Sequence, residues 1–299
     1  MKSRNIRIIS SGQKMKMIVL EPEKGTGKMP GILWIHGGGY AMGMASMVYF
    51  SRGKDLAEKY GAVMISPGYR LAGKAPYPAA LDDCYAALEY MWDHADELQI
   101  DRSHIVVGGE SAGGGLAAAV CLYARDKGKI RIAMQIPLYP MLDSEDTASS
   151  AKNNGIVWNT RANHWGWKKY LRGLYQSDRV PYYASPSRAK DFSGLPPCYT
   201  FVCKGEPFYE ETLAYVSKLR EASIPASVDV FPGNIHAFDL FLPASGSVKT
   251  AKKCLAEAYE MVIMRGDPDF LARREELRVK LEKPLSKVRN TVFPRYNIY

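Results

Sequence analysis

The chain predicts an α/β fold in which a mostly parallel central sheet is covered by helices on both faces. Two observations carry this. Short, continuous apolar runs such as Gly31-Ile32-Leu33-Trp34-Ile35 and Ile105-Val106-Val107-Gly108 suit strands buried on both sides. Such runs alternate with helical segments through most of the sequence, which is the pattern of parallel strands joined by crossover helices. The 299 residues, 46% hydrophobic and 24% charged, are enough for one large core, so a single domain over 1–299 is expected.

Taken in order, Ile6-Arg7-Ile8-Ile9 and Met15-Lys16-Met17-Ile18-Val19 flank Ser11-Gly12 and predict an antiparallel strand pair. Residues 21–30, rich in Gly, Pro and Lys, read as a loop before the strand at 31–35. A helix near 46–60, a strand at 62–66, a helix over 79–97, a strand at 105–108, a helix over 112–125 and a strand over 130–137 follow. Between 138 and 197 the rhythm breaks. Asp143-Ser144-Glu145-Asp146, the aromatic stretch His164-Trp165-Gly166-Trp167 and a helix over 167–175 read as a cap insertion at about 141–195. The alternation resumes with a strand at 198–203, a helix over 211–222, a strand at 226–231 and a helix over 248–265. Gly266-Asp267-Pro268 stops that helix. A C-terminal extension, 266–299, opens with a basic amphipathic stretch in which Phe270, Leu277, Leu281 and Leu285 would share a face, as a replacement lid or a homodimer contact.

Lys and Arg number 40 against 31 Asp and Glu, a formal charge of +9. The charges are interleaved along the chain and no nucleic-acid-reading motif accompanies them, so a basic soluble surface is expected rather than a nucleic-acid partner. The five cysteines are odd in number and lack metal-ligand spacing, which predicts reduced, mostly buried thiols and no metal site. No apolar run after Met1-Lys2-Ser3-Arg4 is long enough for a signal peptide or a membrane span, and a cytoplasmic address is expected.

The chemistry centres on Gly109-Glu110-Ser111-Ala112-Gly113, where a strand turns directly into a helix. Such a turn is so tight that the positions two residues either side of the serine must be very small; it lifts the hydroxyl above the sheet edge. The competing reading is a glycine-rich turn that only permits close packing. His36-Gly37-Gly38-Gly39-Tyr40 follows another strand, at the edge where open α/β sheets bind ligands. The N–H groups of Gly37, Gly38 and Ala112 could converge on the oxygen of a tetrahedral intermediate, one donor being worth about 3 kcal/mol. A phosphate cradle is the alternative, but the run lacks a Gly-Lys-Ser/Thr ending and a dinucleotide spacing.

Of the five histidines, His94 and His104 fall in polar surroundings expected to face solvent, His164 lies in the aromatic insertion, and His36 reads as a loop-ordering residue. His236, in the loop after the last strand, is the candidate base. In a serine elbow of this kind the acid lies between serine and histidine along the chain. Glu206, which begins the loop after the strand at 198–203, is the candidate acid; a helix-start carboxylate is the alternative for it, as for Glu210 and Glu211.

With these residues in hand, the chain resembles the hormone-sensitive-lipase-like esterases, the acetyl-esterase group of α/β-hydrolases. The likeness covers most of 30–240. It rests on His36-Gly37-Gly38-Gly39-Tyr40, Gly68-Tyr69-Arg70-Leu71-Ala72 with Tyr77-Pro78-Ala79-Ala80-Leu81-Asp82-Asp83, Gly109-Glu110-Ser111-Ala112-Gly113-Gly114, and Leu195-Pro196-Pro197. It implies a cofactor-independent serine carboxylesterase that takes small acyl esters through an acyl-enzyme, with Ser111 as nucleophile, His236 as base and Gly37, Gly38 and Ala112 as oxyanion donors. Four departures stand out. Glu206-Pro207-Phe208 replaces the usual Asp-Pro-Leu, so its carboxylate must tilt or its backbone sit farther back. His236-Ala237-Phe238 replaces His-Gly-Phe, and Gly68 and Gly73 replace the ends of Asp-Tyr-Arg-Leu-Ala-Pro. The residues that precede the glycine loop read as strands, so the helices that commonly cover the site from there are not expected. An amide or N-formyl hydrolase on the same residues, and a catalytically silent ligand-binding protein, are the competing functions.

Overall fold

A computed structural model describes residues 1–23 and 27–282, with no side-chain detail for 277–282. Strands β1 (Lys2–Ser10) and β2 (Gln13–Glu21) form the expected hairpin, joined by Ser11 and Gly12, both at positive φ (44° and 75°), as a two-residue turn between twisted strands requires. They lead into β3 (Met29–Ile35), β4 (Val63–Pro67), β5 (Ile100–Glu110), β6 (Met134–Leu138), β7 (Cys198–Cys203) and β8 (Ala226–Phe231). The order across the eight-stranded sheet is β1-β2-β4-β3-β5-β6-β7-β8. β2 pairs antiparallel with β1 and β4, and the pairings from β4 to β8 are parallel.

Helices α1 (Arg52–Tyr60), α2 (Ala79–Asp93), α3 (Ala112–Lys127), α4 (Thr160–Leu171), α5 (Tyr209–Glu221), α6 (Phe238–Phe241), α7 (Gly246–Tyr259) and α8 (Asp269–Glu282) follow in chain order. α1 packs with α7, α2 with α3, and α5 and α8 against β8, so both faces of the sheet are covered. Val106, Val107, Ile32, Leu33 and Trp34 are fully buried, as their continuous apolar runs require. The Arg70 guanidinium grips Asp83 of α2 through Nε and an Nη, both at 2.9 Å, which ties the loop after β4 to α2 and gives the Gly68–Ala72 motif a structural task.

Several boundaries differ from the sequence reading. The helix expected near 46–60 is a 3-10 turn over Ala45–Phe50 followed by α1, which Ser51 caps by accepting from the Lys54 N–H. The strand expected over 130–137 begins only at Met134. The insertion helix starts at Thr160 rather than 167, because Asn159 caps it by accepting from the Ala162 N–H at 3.0 Å. The helix expected over 248–265 relaxes into a π turn at Glu260–Met264. Phe270 packs against the core, whereas Leu277, Leu281 and Leu285 lie outside the residues whose side chains are described.

Candidate active site

Three loops at the carboxyl ends of β3, β7 and β8, together with the turn from β5 into α3, bring the sequence-selected residues together. Ser111 sits between β5 and α3 at φ 57°, ψ −122°, a conformation L-residues rarely adopt and one that costs on the order of 1–3 kcal/mol. The fold holds it there from both sides: the Ser111 N–H donates to Leu138 O and the Met141 N–H donates to Ser111 O, both at 3.0 Å. The small residues around the serine are steric necessities. A Cβ on Gly113 would collide with the carbonyl oxygen of Ile35, and one on Gly109 with the same oxygen.

His236 lies in the loop between β8 and α6, its Nε2 2.8 Å from Ser111 Oγ. Its Nδ1 is 2.7 Å from Glu206 Oε2. All three side chains are buried. The extra methylene of Glu206 is absorbed by tilting the carboxylate: Oε1 folds back to accept the Cys203 N–H at 3.1 Å while Oε2 meets the histidine. Burial raises the Glu206 pKa, opposed by the neighbouring His236 and the Cys203 N–H. The competing acids lie in other surroundings. Glu211 is buried in α5, where it accepts the Leu142 N–H at 2.8 Å, and Glu210 is exposed.

The glycine loop passes directly beside the serine. A Cβ on Gly37 would lie 3.2 Å from Ser111 Cβ and 3.0 Å from Glu110 O. Ala112 is the first residue of α3, so its N–H has no partner within the helix. His36 faces the other way. Its Nδ1 pairs with Gly37 O at 2.8 Å, its ring stacks on Tyr69 at 4.2 Å, and burial lowers its pKa to about 4, so it orders the loop as a neutral ring. His164 pairs with Asp146 at 2.8 Å. His94 and His104, expected to face solvent, are half-buried. His94 stacks on Tyr90 at 4.0 Å and His104 pairs with Asp101 at 2.9 Å.

Several supports of the site carry no signal in the sequence. Tyr139 and Phe208 stand nearly perpendicular to the His236 ring, with centroids 5.1 and 4.9 Å away, and hold the plane of the imidazole between them. The insertion grips the Glu206 loop through Ser149 Oγ, which donates to Pro207 O at 2.7 Å, and Asn153 Nδ2, which donates to Gly205 O at 3.0 Å. Glu110, beside the serine, accepts from Trp34 Nε1 at 2.7 Å and from the Arg52 N–H at 3.2 Å. Burial, with the nearby Asp239 adding to it, pushes Glu110 up to about 8 against those donors. As a set, a hydroxyl, an imidazole and a carboxylate in line can move a proton off Ser111 while holding the imidazolium that results.

The chain belongs to the α/β hydrolases: residues 32–240, from β3 to just past His236, match the family model described as alpha/beta hydrolase fold. The hormone-sensitive-lipase-like membership implied by the motifs holds. More particularly, the chain is 30% identical over 211 residues to the esterase LipI of Mycobacterium tuberculosis, an alignment covering 70% of this chain and 65% of LipI. It is 31% identical over 210 residues to an arylesterase of Saccharolobus solfataricus, covering 69% and 67%. The chain thus spans about two thirds of the length of these relatives. Among solved structures, a bacterial heroin esterase superposes with a TM-score of 0.83 at 33% identity, over 88% of this chain and 84% of its own. A hyperthermophilic esterase of the archaeon Pyrobaculum calidifontis gives 0.80 at 30% identity, over 88% and 86%. These likenesses place the chain among the carboxylic ester hydrolases. No helix among the described residues is long and apolar enough to cross a membrane.

Proposed function

We propose that the protein is a serine carboxylesterase that cleaves small, acetyl-type acyl esters with Ser111 as nucleophile, His236 as general base and acid, and Glu206 as the orienting carboxylate. The observation that carries this reading is the unbroken chain from Ser111 Oγ through His236 to Glu206, at 2.8 and 2.7 Å, on a serine held at positive φ.

Ser111 Oγ attacks the ester carbonyl as its proton passes to His236 Nε2, forming a tetrahedral intermediate. The N–H groups of Gly37, Gly38 and Ala112 take up its oxyanion charge, one such donor being worth about 3 kcal/mol of barrier. The carbonyl re-forms, the C–O bond to the alcohol breaks and His236 returns the proton to the departing alcohol. Water, giving its proton to the same nitrogen, then attacks the acyl-Ser111 ester; the bond from Oγ to the acyl carbon breaks, His236 passes the proton back to Ser111 Oγ and the acid leaves. Residues 141–195, which grip the Glu206 loop, act as the cap.

Ser111→Ala tests the assignment. Turnover of p-nitrophenyl acetate and labelling by a fluorophosphonate probe are expected to disappear together, with the melting temperature close to that of the wild type. Full activity in that variant would reject the mechanism.

A further inference from the structure

Trp158 precedes α4 in the insertion and is 7% exposed. Its ring reaches across to the glycine loop: a Cβ on Gly39, which is itself at φ 57°, would lie 2.8 Å from Trp158 Cζ2 and closer still to Cη2. A Cβ on Gly166 of α4 would lie 3.4 Å from Trp158 Cζ2, 3.4 Å from Met141 Cε and 3.1 Å from Gly39 O. Met141 is the residue whose N–H holds Ser111 O. The outer edge of the indole's six-membered ring is therefore lodged against two glycines, Gly39 and Gly166, the first of them two residues along the loop from Gly37, which lies beside Ser111. Its Nε1 is buried with no acceptor among the described residues. Packing against Gly39 and Gly166, not a hydrogen bond, sets the position of the ring.

From this placement, and resting on the function proposed above, we infer that Trp158 sets the length of acyl group the enzyme accepts. His236 must reach the leaving oxygen to protonate it, so the alcohol departs on the His236 side. The acyl substituent then projects from the carbonyl carbon to the other side, along the glycine loop, where the indole blocks the way beyond the first few carbons. A ring wedged against backbone glycine has no room to retreat, because interiors pack too densely to yield a slot of that size. Each methylene beyond the wall costs roughly ten-fold or more in transition-state binding.

The test is kcat/KM on p-nitrophenyl acetate, butyrate, hexanoate and octanoate, which share a leaving group and differ only in the acyl chain. Wild type is expected to fall roughly ten-fold or more between acetate and hexanoate. Trp158→Leu is expected to raise the hexanoate-to-acetate ratio by about ten-fold or more, and Trp158→Phe to raise it by less. Fluorophosphonate labelling of Ser111 shows which variants keep a formed site, and Trp158→Phe carries the test should Trp158→Leu fail to label. A labelled variant whose profile across the four esters matches wild type would overturn the inference and leave the esterase reading standing. Absence of Ser111-dependent turnover of any ester by wild type would overturn both.

Discussion

Glu206 reaches Nδ1 of His236 at 2.7 Å only because its second oxygen is anchored on the N–H of Cys203, three residues back at the end of the same strand. The carboxylate therefore has two jobs, closing the turn after β7 and holding the imidazole. Glu206→Gln keeps the length but faces the histidine with a group that can present N–H, favouring the wrong tautomer. A loss in kcat of about 10³–10⁴ is expected, with a small change in KM. Glu206→Asp is one methylene shorter and cannot span both contacts, so an intermediate loss is expected. Steady-state kinetics on p-nitrophenyl acetate check both, and an Asp variant as active as wild type would show that the tilt is dispensable.

Ala237 follows His236 in the left-handed region, at φ 56°, ψ 38°. A Cβ there costs about 1–2 kcal/mol, part of which a glycine returns to the unfolded chain as added flexibility. Ala237→Gly is therefore expected to stabilise the protein by about 0.5–1 kcal/mol in urea unfolding, with kcat within a factor of about two of wild type. A destabilised variant would mean that the methyl group, which is buried, is worth more than the strain.

Glu110 gives stability a pH dependence of definite sign. Its pKa is about 8 in the folded protein, above the ordinary carboxylate value to which it returns on unfolding. Between roughly pH 5 and 8 the folded state keeps a proton that the unfolded state has lost. Stability is thus fully supported below the unfolded value and falls as pH rises toward 8, by up to about 1.4 kcal/mol per pH unit. Glu110→Gln removes this titration but sets an amide N–H₂ against one of the two N–H donors at Trp34 and Arg52, a cost of about 1–3 kcal/mol. Melting temperatures between pH 6 and 9 are expected to show a shallower decline for the variant, with its deficit largest at pH 6. Parallel curves would exclude Glu110 as the source. His36 acts at the acid end in the opposite direction. Its pKa of about 4 lies below the unfolded value, so stability is lost as pH falls from about 6.5 to 4.

The sequence by itself determined the elements whose causes are local. Continuous apolar runs specified the parallel strands, Ser11-Gly12 the hairpin, and the small residues around Ser111 the sharp turn, because each depends on residues within a few positions of one another. The order of the motifs then singled out Ser111, His236 and the glycine loop. Between Glu206 and its neighbours the sequence offered only a ranking, since any carboxylate near that helix start has the same local chemistry. In the tertiary structure Glu211 is buried against Leu142 N and Glu210 is exposed, while Glu206 meets a histidine thirty residues away. Tertiary structure decided where α4 begins, how the insertion grips the Glu206 loop, and that the Trp158 ring rests on Gly39. Those contacts join segments far apart in the chain through close packing, which leaves no periodic trace in any short window of sequence.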